Sequence, residues 1–183
     1  VGSTTRAMAM TSDGKTLLAT RFISPENEAH VYKIDLTNFS LAATIKIAAD
    51  TTSLDTNTSS RGVMNYLMGI AIAPGSDIAW VVGKKDNTFR GVTLDGNFGN
   101  FQNTVRSIIA KIDISENAEV PNSKFDIDNA EIASAIDFSQ GGDIVYVTHL
   151  GNNRLSAYNV SNMQGLDQID MGAAPKGIAV ANN

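Results

Sequence analysis

Cysteine is absent from this chain of 183 residues. Its absence excludes disulfides, thiolate metal sites and covalent c-type haem attachment within the chain. No cofactor is expected to be held by the chain itself. Histidine is scarce, with His30 and His149 the only two, so a multi-histidine site cannot be assembled from this chain alone. Basic residues do not predominate: 14 Lys and Arg stand against 19 Asp and Glu, a formal charge of −5. The basic footprint of a nucleic-acid binder is missing, and no nucleic-acid partner is expected. No apolar run approaches the ~20 residues that a spanning helix needs, so no transmembrane segment is expected. The motifs G-x-S-x-G, H-E-x-x-H and the P-loop are missing as well. No secretory leader opens the sequence, which begins and ends in mid-pattern. A processed or excised segment would account for both features.

Apolar residues are plentiful, at 43% of the chain, enough for a packed core. They fall into short runs rich in Val, Ile, Thr and aromatics, broken by turn residues, which favours strands over helices. The clearest unit is Gly69 to Gly83: an apolar strand, the turn around Pro74-Gly75, and a second apolar strand. The same order recurs from Ala7, from Ser134 and, cut short, from Gly177. With Ala9, Ala71, Ala135 and Ala179 as markers, the spacings are 62, 64 and 44 residues. A spacing near 44 matches a four-stranded propeller blade, and the longer ones require insertions.

A third recurring element locates those insertions. Tyr32-Lys33-Ile34-Asp35-Leu36 matches Ala110-Lys111-Ile112-Asp113-Ile114 and, more loosely, Ala157-Tyr158-Asn159-Val160. The expected fold is therefore all-β: a partial β-propeller of four-stranded antiparallel blades, three in number, plus the first strand of a fourth. The blades are expected at 5–47, 67–128 and 131–171, with the next beginning at 175–183. Long loops are expected at 48–66 and 84–106. A generic β-sandwich is the structural rival, and the repeated order of motifs favours the propeller.

In an up-and-down blade with strands A to D, the A–B and C–D turns share one rim. The B–C and D–A loops share the other, so both long insertions crown the same face. Loops of that length often carry function. Within the second insertion, Lys84, Lys85, Asp86 and Arg90 form the most charged stretch. They offer a site for a small anionic ligand, a carboxylate or a partner's acidic patch. The alternative is internal pairing, with Arg90 or Arg106 held by Asp86 or Asp95. At the same rim, His149 ends a B strand, with Asn152 and Arg154 just beyond it. A lone histidine there could ligate a metal or act as an acid or base, but the only other histidine, His30, lies elsewhere and no such role is assigned; Gly151-Asn152-Asn153 reads first as a turn. His30 is expected at the surface and Trp80 in the core. Asp50 and Asp55 could supply calcium oxygens, but the spaced acidic pattern of a calcium loop is missing. No catalytic residue and no metal ligand is assigned.

Tyr146-Val147-Thr148-His149, followed by Gly151-Asn152-Asn153, resembles the YVTN propeller repeat, with histidine in place of the final asparagine. Gly172 to Val180 is similar to the G-x-x-P-x-G-x-A entry into a blade of that family. In the second repeat, Asn65-Tyr66-Leu67, Ala79-Trp80-Val81, Lys85-Asp86-Asn87, Phe89-Arg90-Gly91, Asp95-Gly96 and Thr104 to Ile108 resemble large secreted bacterial propeller proteins. Some of these carry a C-terminal c-type haem domain of the MauG or dihaem-peroxidase kind. The resemblance implies an extracytoplasmic setting: periplasmic, secreted or at the cell surface. It supplies no catalytic residues within the propeller.

These readings converge on a non-enzymatic binding or scaffold module that presents a loop-rich face. The alternatives are the propeller portion of a haem-dependent redox enzyme and a lactonase-like hydrolase. Expected partners are the remaining blades, in the same polypeptide or a second copy, and a protein or small anionic ligand.

Overall fold

The computed structural model describes residues 4–90 and 103–181. Among these, thirteen strands and no α-helix form three antiparallel sheets. Blade 1 holds β1 (Thr5–Met10), β2 (Thr16–Arg21), β3 (Glu28–Asp35) and β4 (Ser40–Ala48). Blade 2 holds β5 (Val63–Ile72), β6 (Ile78–Asp86), β7 (Val105–Asp113), β8 (Ala118–Glu119) and β9 (Phe125–Ile127). Blade 3 holds β10 (Ala133–Phe138), β11 (Ile144–His149), β12 (Arg154–Asn159) and β13 (Gly165–Asp170). Strand order follows chain order in each blade. In blade 2, β8 and β9 both pair with β7 and divide the outermost position between them.

The turns repeat as faithfully as the strands. Each A–B turn closes with the same pair of backbone bonds. In blade 1 the Thr11 amide donates to the Thr16 carbonyl and the Gly14 amide to the Thr11 carbonyl (3.0 and 2.9 Å). The pairs are Ala73–Ile78 and Ser76–Ala73 in blade 2, and Ser139–Ile144 and Gly142–Ser139 in blade 3. Each C–D turn is an Asx turn. The carboxylates of Asp35 and Asp113 and the amide oxygen of Asn159 accept both the amide and the hydroxyl of Thr37, Ser115 and Ser161 respectively, at 2.6–2.9 Å. A short side-chain acceptor followed by a hydroxyl residue thus ends strand C in every blade.

Two apolar layers hold the blades together. The first, between blades 1 and 2, includes Leu18, Val31, Ile45, Met64, Val81, Ile108 and Ile112. The second, between blades 2 and 3, includes Trp80, Val82, Ile109, Ile136, Phe138, Val145 and Val147. Trp80 is buried, with its ring edge-on to Phe138 at 5.4 Å and the Lys111 ammonium 4.0 Å over its face. Near the axis the innermost strands touch. A Cβ on Gly69 would lie 2.9 Å from Ala135 Cα and 2.8 Å from Val82 Cγ2, so only glycine admits this approach.

Residues 175–181, expected to open a fourth blade, form no strand among the described residues, but they dock on blade 3. Ser134 Oγ donates to the Pro175 carbonyl (2.7 Å), and the Val180 amide donates to Asp137 Oδ2 (2.8 Å). Blade 1 holds the entry of blade 2 in a similar way, with Thr20 Oγ1 donating to the Leu67 carbonyl (2.9 Å). Leu67 precedes Ala71 by the same interval as Pro175 precedes Ala179.

The expected long loops are shorter than the sequence implies. Strand β5 begins at Val63, β6 runs to Asp86 and β7 starts at Val105. Lys84, Lys85 and Asp86 are therefore strand residues, paired in register with Ser107, Arg106 and Val105. Their polarity reads as loop in the sequence, but it is accommodated in the sheet: Lys84 and Asp86 pair with each other, and Lys85 finds carboxylates from elsewhere in the chain.

Candidate ligand-binding face

The crown rim is built outward from the ends of β5, β6 and β7. Lys85 and Arg106 stand opposite each other on β6 and β7, so their side chains leave the same face. Both are fully buried. Lys85 Nζ donates to Asp50 Oδ2 (3.0 Å), on the loop after β4, and to Asp126 (2.8 Å), on β9. Arg106 Nε lies 3.2 Å from Asp126, and its terminal nitrogen pairs with Asp128. A buried ammonium and a buried guanidinium are thus neutralised by three carboxylates. Removing one member of such a network leaves a buried charge uncompensated, at a cost of about 3–5 kcal/mol.

The loop after β4 is closed at its base. Asp50 and Gly62 exchange two backbone hydrogen bonds of 2.8 Å. Gly62 has φ +150°, and a Cβ there would come within 2.4 Å of the Asp86 carbonyl oxygen. Burial works against ionisation of Asp50. The Ser53 hydroxyl and amide and the Lys85 ammonium outweigh it and hold the carboxyl at about 2. Asp55 is also held at about 2, chiefly by the Arg61 guanidinium at 2.8 Å. The Asn87 side-chain amide donates to Asp55 (2.9 Å) and so joins this loop to the one after β6. Asp50 and Asp55, weighed as calcium ligands, are engaged in ion pairs. Among the described residues, no group of three or more His, Asp or Glu is placed to hold a metal ion.

Nearer the axis lies a stacked column. The Arg6 guanidinium sits 5.5 Å from the Phe22 ring centroid, Phe22 stacks on Tyr66 at 4.5 Å, and Lys84 Nζ lies 4.1 Å over Tyr66. Tyr66 takes φ +47° in a bulge between Asn65 and Gly69. Lys84 also pairs with Asp86 (2.8 Å), which accepts from the Asn65 amide (2.8 Å). Asn65 Oδ1 in turn accepts the Ser24 amide of blade 1 (2.9 Å).

The charged residues expected at this rim are therefore brought together, but paired internally. Lys84 and Asp86 pair with each other, Lys85 is buried, and Arg90 donates to Asn103 Oδ1 (2.5 Å) and Thr104 Oγ1 (3.1 Å). Internal pairing was one of the two expectations, with Arg90 or Arg106 held by Asp86 or Asp95. Among the described residues, Arg90 donates to Asn103 and Thr104, and Arg106 pairs with Asp126 and Asp128. Asp95 lies outside the described residues.

On blade 3, His149 is fully buried rather than displayed at the rim. Its Nε2 is 3.1 Å from Ser156 Oγ. Burial, with a contribution from Arg154, pushes its pKa down to about 4, so the ring is neutral near pH 7. Arg154 donates to Gln168 Oε1 (2.8 Å), and Asn152 Oδ1 accepts the Glu131 amide. The first contact ties β12 to β13, and the second ties the turn after β11 to the segment before β10. His30, expected at the surface, is partly buried and bonds Glu28 at 2.7 Å.

Hydrazine synthase of Kuenenia stuttgartiensis superposes with a TM-score of 0.68 at 11% identity, over 93% of this chain and 51% of that one. A functionally unknown protein of Desulfotomaculum acetoxidans gives 0.57 at 17% identity, over 99% of this chain and 47% of that one. The WD40 repeats of RRP9 give 0.57 at 11% identity, over 92% of this chain and 39% of that one. The fold is a partial β-propeller. No protein-family model and no curated protein matches the sequence. The arc spans about half or less of each of these solved chains, and at such identities the likeness is one of fold alone.

Asp126, Asp128 and Asn87 escaped the sequence reading. A signal for the first two existed: the alternation Asp126-Ile127-Asp128 puts two carboxylates on one face of an outer strand. Nothing in the sequence, however, sets that strand beside Arg106.

Proposed function

We propose that this chain is an arc of a larger extracytoplasmic β-propeller that works as a non-enzymatic binding or scaffold module through its crown rim. The observation that carries this reading is the joining of the two longest loops on one rim. Asn87–Asp55 ties them to each other, and Lys85–Asp50 ties the first of them to the sheet. Ile23, Leu54 and Phe89, from three different crown loops, are solvent-exposed. Apolar anchors on a preorganised polar frame are what a protein partner buries.

A photo-crosslinking amino acid placed at Leu54 and at Phe89 tests the reading in the native host. One and the same protein should be captured from both positions, and not from Phe39, which is 84% exposed in the C–D turn of blade 1 on the other rim. Equal capture at Phe39, or none at either crown position, contradicts it.

A second reading makes the arc the propeller portion of a haem-dependent redox enzyme. It rests on the resemblance of the second repeat to secreted bacterial propeller proteins. A haem absorbance band in the protein from its natural source would support it.

A further inference from the structure

Between the loop after β4 and the outer strand of blade 2 lies a cleft of about 480 Å³. It is distinct from the exposed apolar residues of the crown. Its base is formed by Lys85 with Asp50 and Asp126, and Lys124 lies on one wall. Two carboxylates and two ammonium groups line it, so the lining carries no net charge. Lys124 is also matched by Glu119.

That balance decides what the cleft accepts. An oxyanion entering it would meet the carboxylates of Asp50 and Asp126. A metal cation would meet the Lys85 ammonium, which already sits between them. The fitting ligand is neutral and rich in groups that both donate and accept. Hydroxyls do both, carboxylates accept and ammonium groups donate. The hydroxyl residues Thr52 and Thr58 at the mouth extend the same chemistry.

The base is also held in place before any ligand arrives. Asp50 Oδ1 accepts the amides of Thr52 and Ser53 (3.2 and 3.0 Å), and the bridge to Gly62 closes the loop. Lys85 is 1% exposed and fixed by two partners. Ordering these charges therefore costs nothing further on binding. We propose that this cleft is a binding site for a neutral saccharide, with vicinal hydroxyls donating to the Asp50 and Asp126 carboxylates that the buried Lys85 holds in place, and accepting from the Lys124 ammonium and the Thr52 and Thr58 hydroxyls. The proposal does not depend on the crown binding a protein.

The test is amide chemical-shift mapping on the full chain. The probes are glucose, galactose, mannose, xylose and N-acetylglucosamine with their β-1,4-linked disaccharides, and separately inorganic phosphate and calcium. At least one sugar should move the amides of Thr52, Ser53, Ser59, Lys85 and Asp126 in a saturable way. Thr52→Val and Thr58→Val, both exposed and near-isosteric, should together weaken that sugar by about tenfold, the scale of one or two lost hydrogen bonds. Absence of a saturable shift at these amides for every sugar overturns the proposal. So does a larger response of the same amides to phosphate or calcium, or a double variant that binds the sugar unchanged.

Discussion

His149 is held neutral by burial, and this gives the protein a defined acid response. Its pKa of about 4 in the fold lies below the 6.5 of an unfolded chain. Between those values the unfolded state binds the extra proton. The stability that His149 contributes is therefore complete above pH 6.5 and is lost as the pH falls towards 4. The loss amounts to roughly 3 kcal/mol. Denaturant unfolding between pH 7 and pH 4 should show this slope, and His149→Gln should flatten it. An equal slope in the variant would mean that His149 does not titrate as described. Asp50 and Asp55 act lower down: their depressed values preserve stability above the ordinary carboxylate range, and it is lost as the pH falls from about 4 to about 2. At this scale the sequence identified charged residues but not their partners. Lys85 and Asp126 lie 41 residues apart and Lys85 and Asp50 lie 35 apart, and only the blade geometry brings them together.

Single strands and turns were the most legible features. Apolar runs, Gly and Pro turns and the recurring Asp35, Asp113 and Asn159 marked the hairpins because each is a local consequence of backbone chemistry. The ends of β6 and β7 were not legible. Lys84 to Asp86 and Arg106 are polar, and hydropathy alone assigns them to a loop, although their side chains are matched inside the sheet. The bulge that gives Tyr66 its positive φ likewise has no local signature. One element carries a sharp prediction. Gly69 lets β5 lie against β10, and Gly69→Val would drive a branched side chain into Ala135 and Val82. The expected cost is about 1–3 kcal/mol, read as a lower denaturation midpoint with an unchanged m-value. A change within a few tenths of a kcal/mol would show that the inner strands separate at little cost.

Across the whole molecule, the contrast between blades is the informative feature. Blade 2 is covered on both sides, and much of β6 and β7 has no exposed surface. Blade 1 packs Ala7 and Ala9 against blade 2, so by alternation Met8 and Met10 point the other way. They are 64% and 58% exposed. On the far side of blade 3, residues 175–181 occupy the place of an innermost strand. Stacked repeats leave such faces covered only when the stack is continued or closed. End-on electron-microscopy averages of the protein from its natural source show whether this arc belongs to a closed ring. A closed ring of about six to eight blades is expected. An open arc of three blades would contradict it.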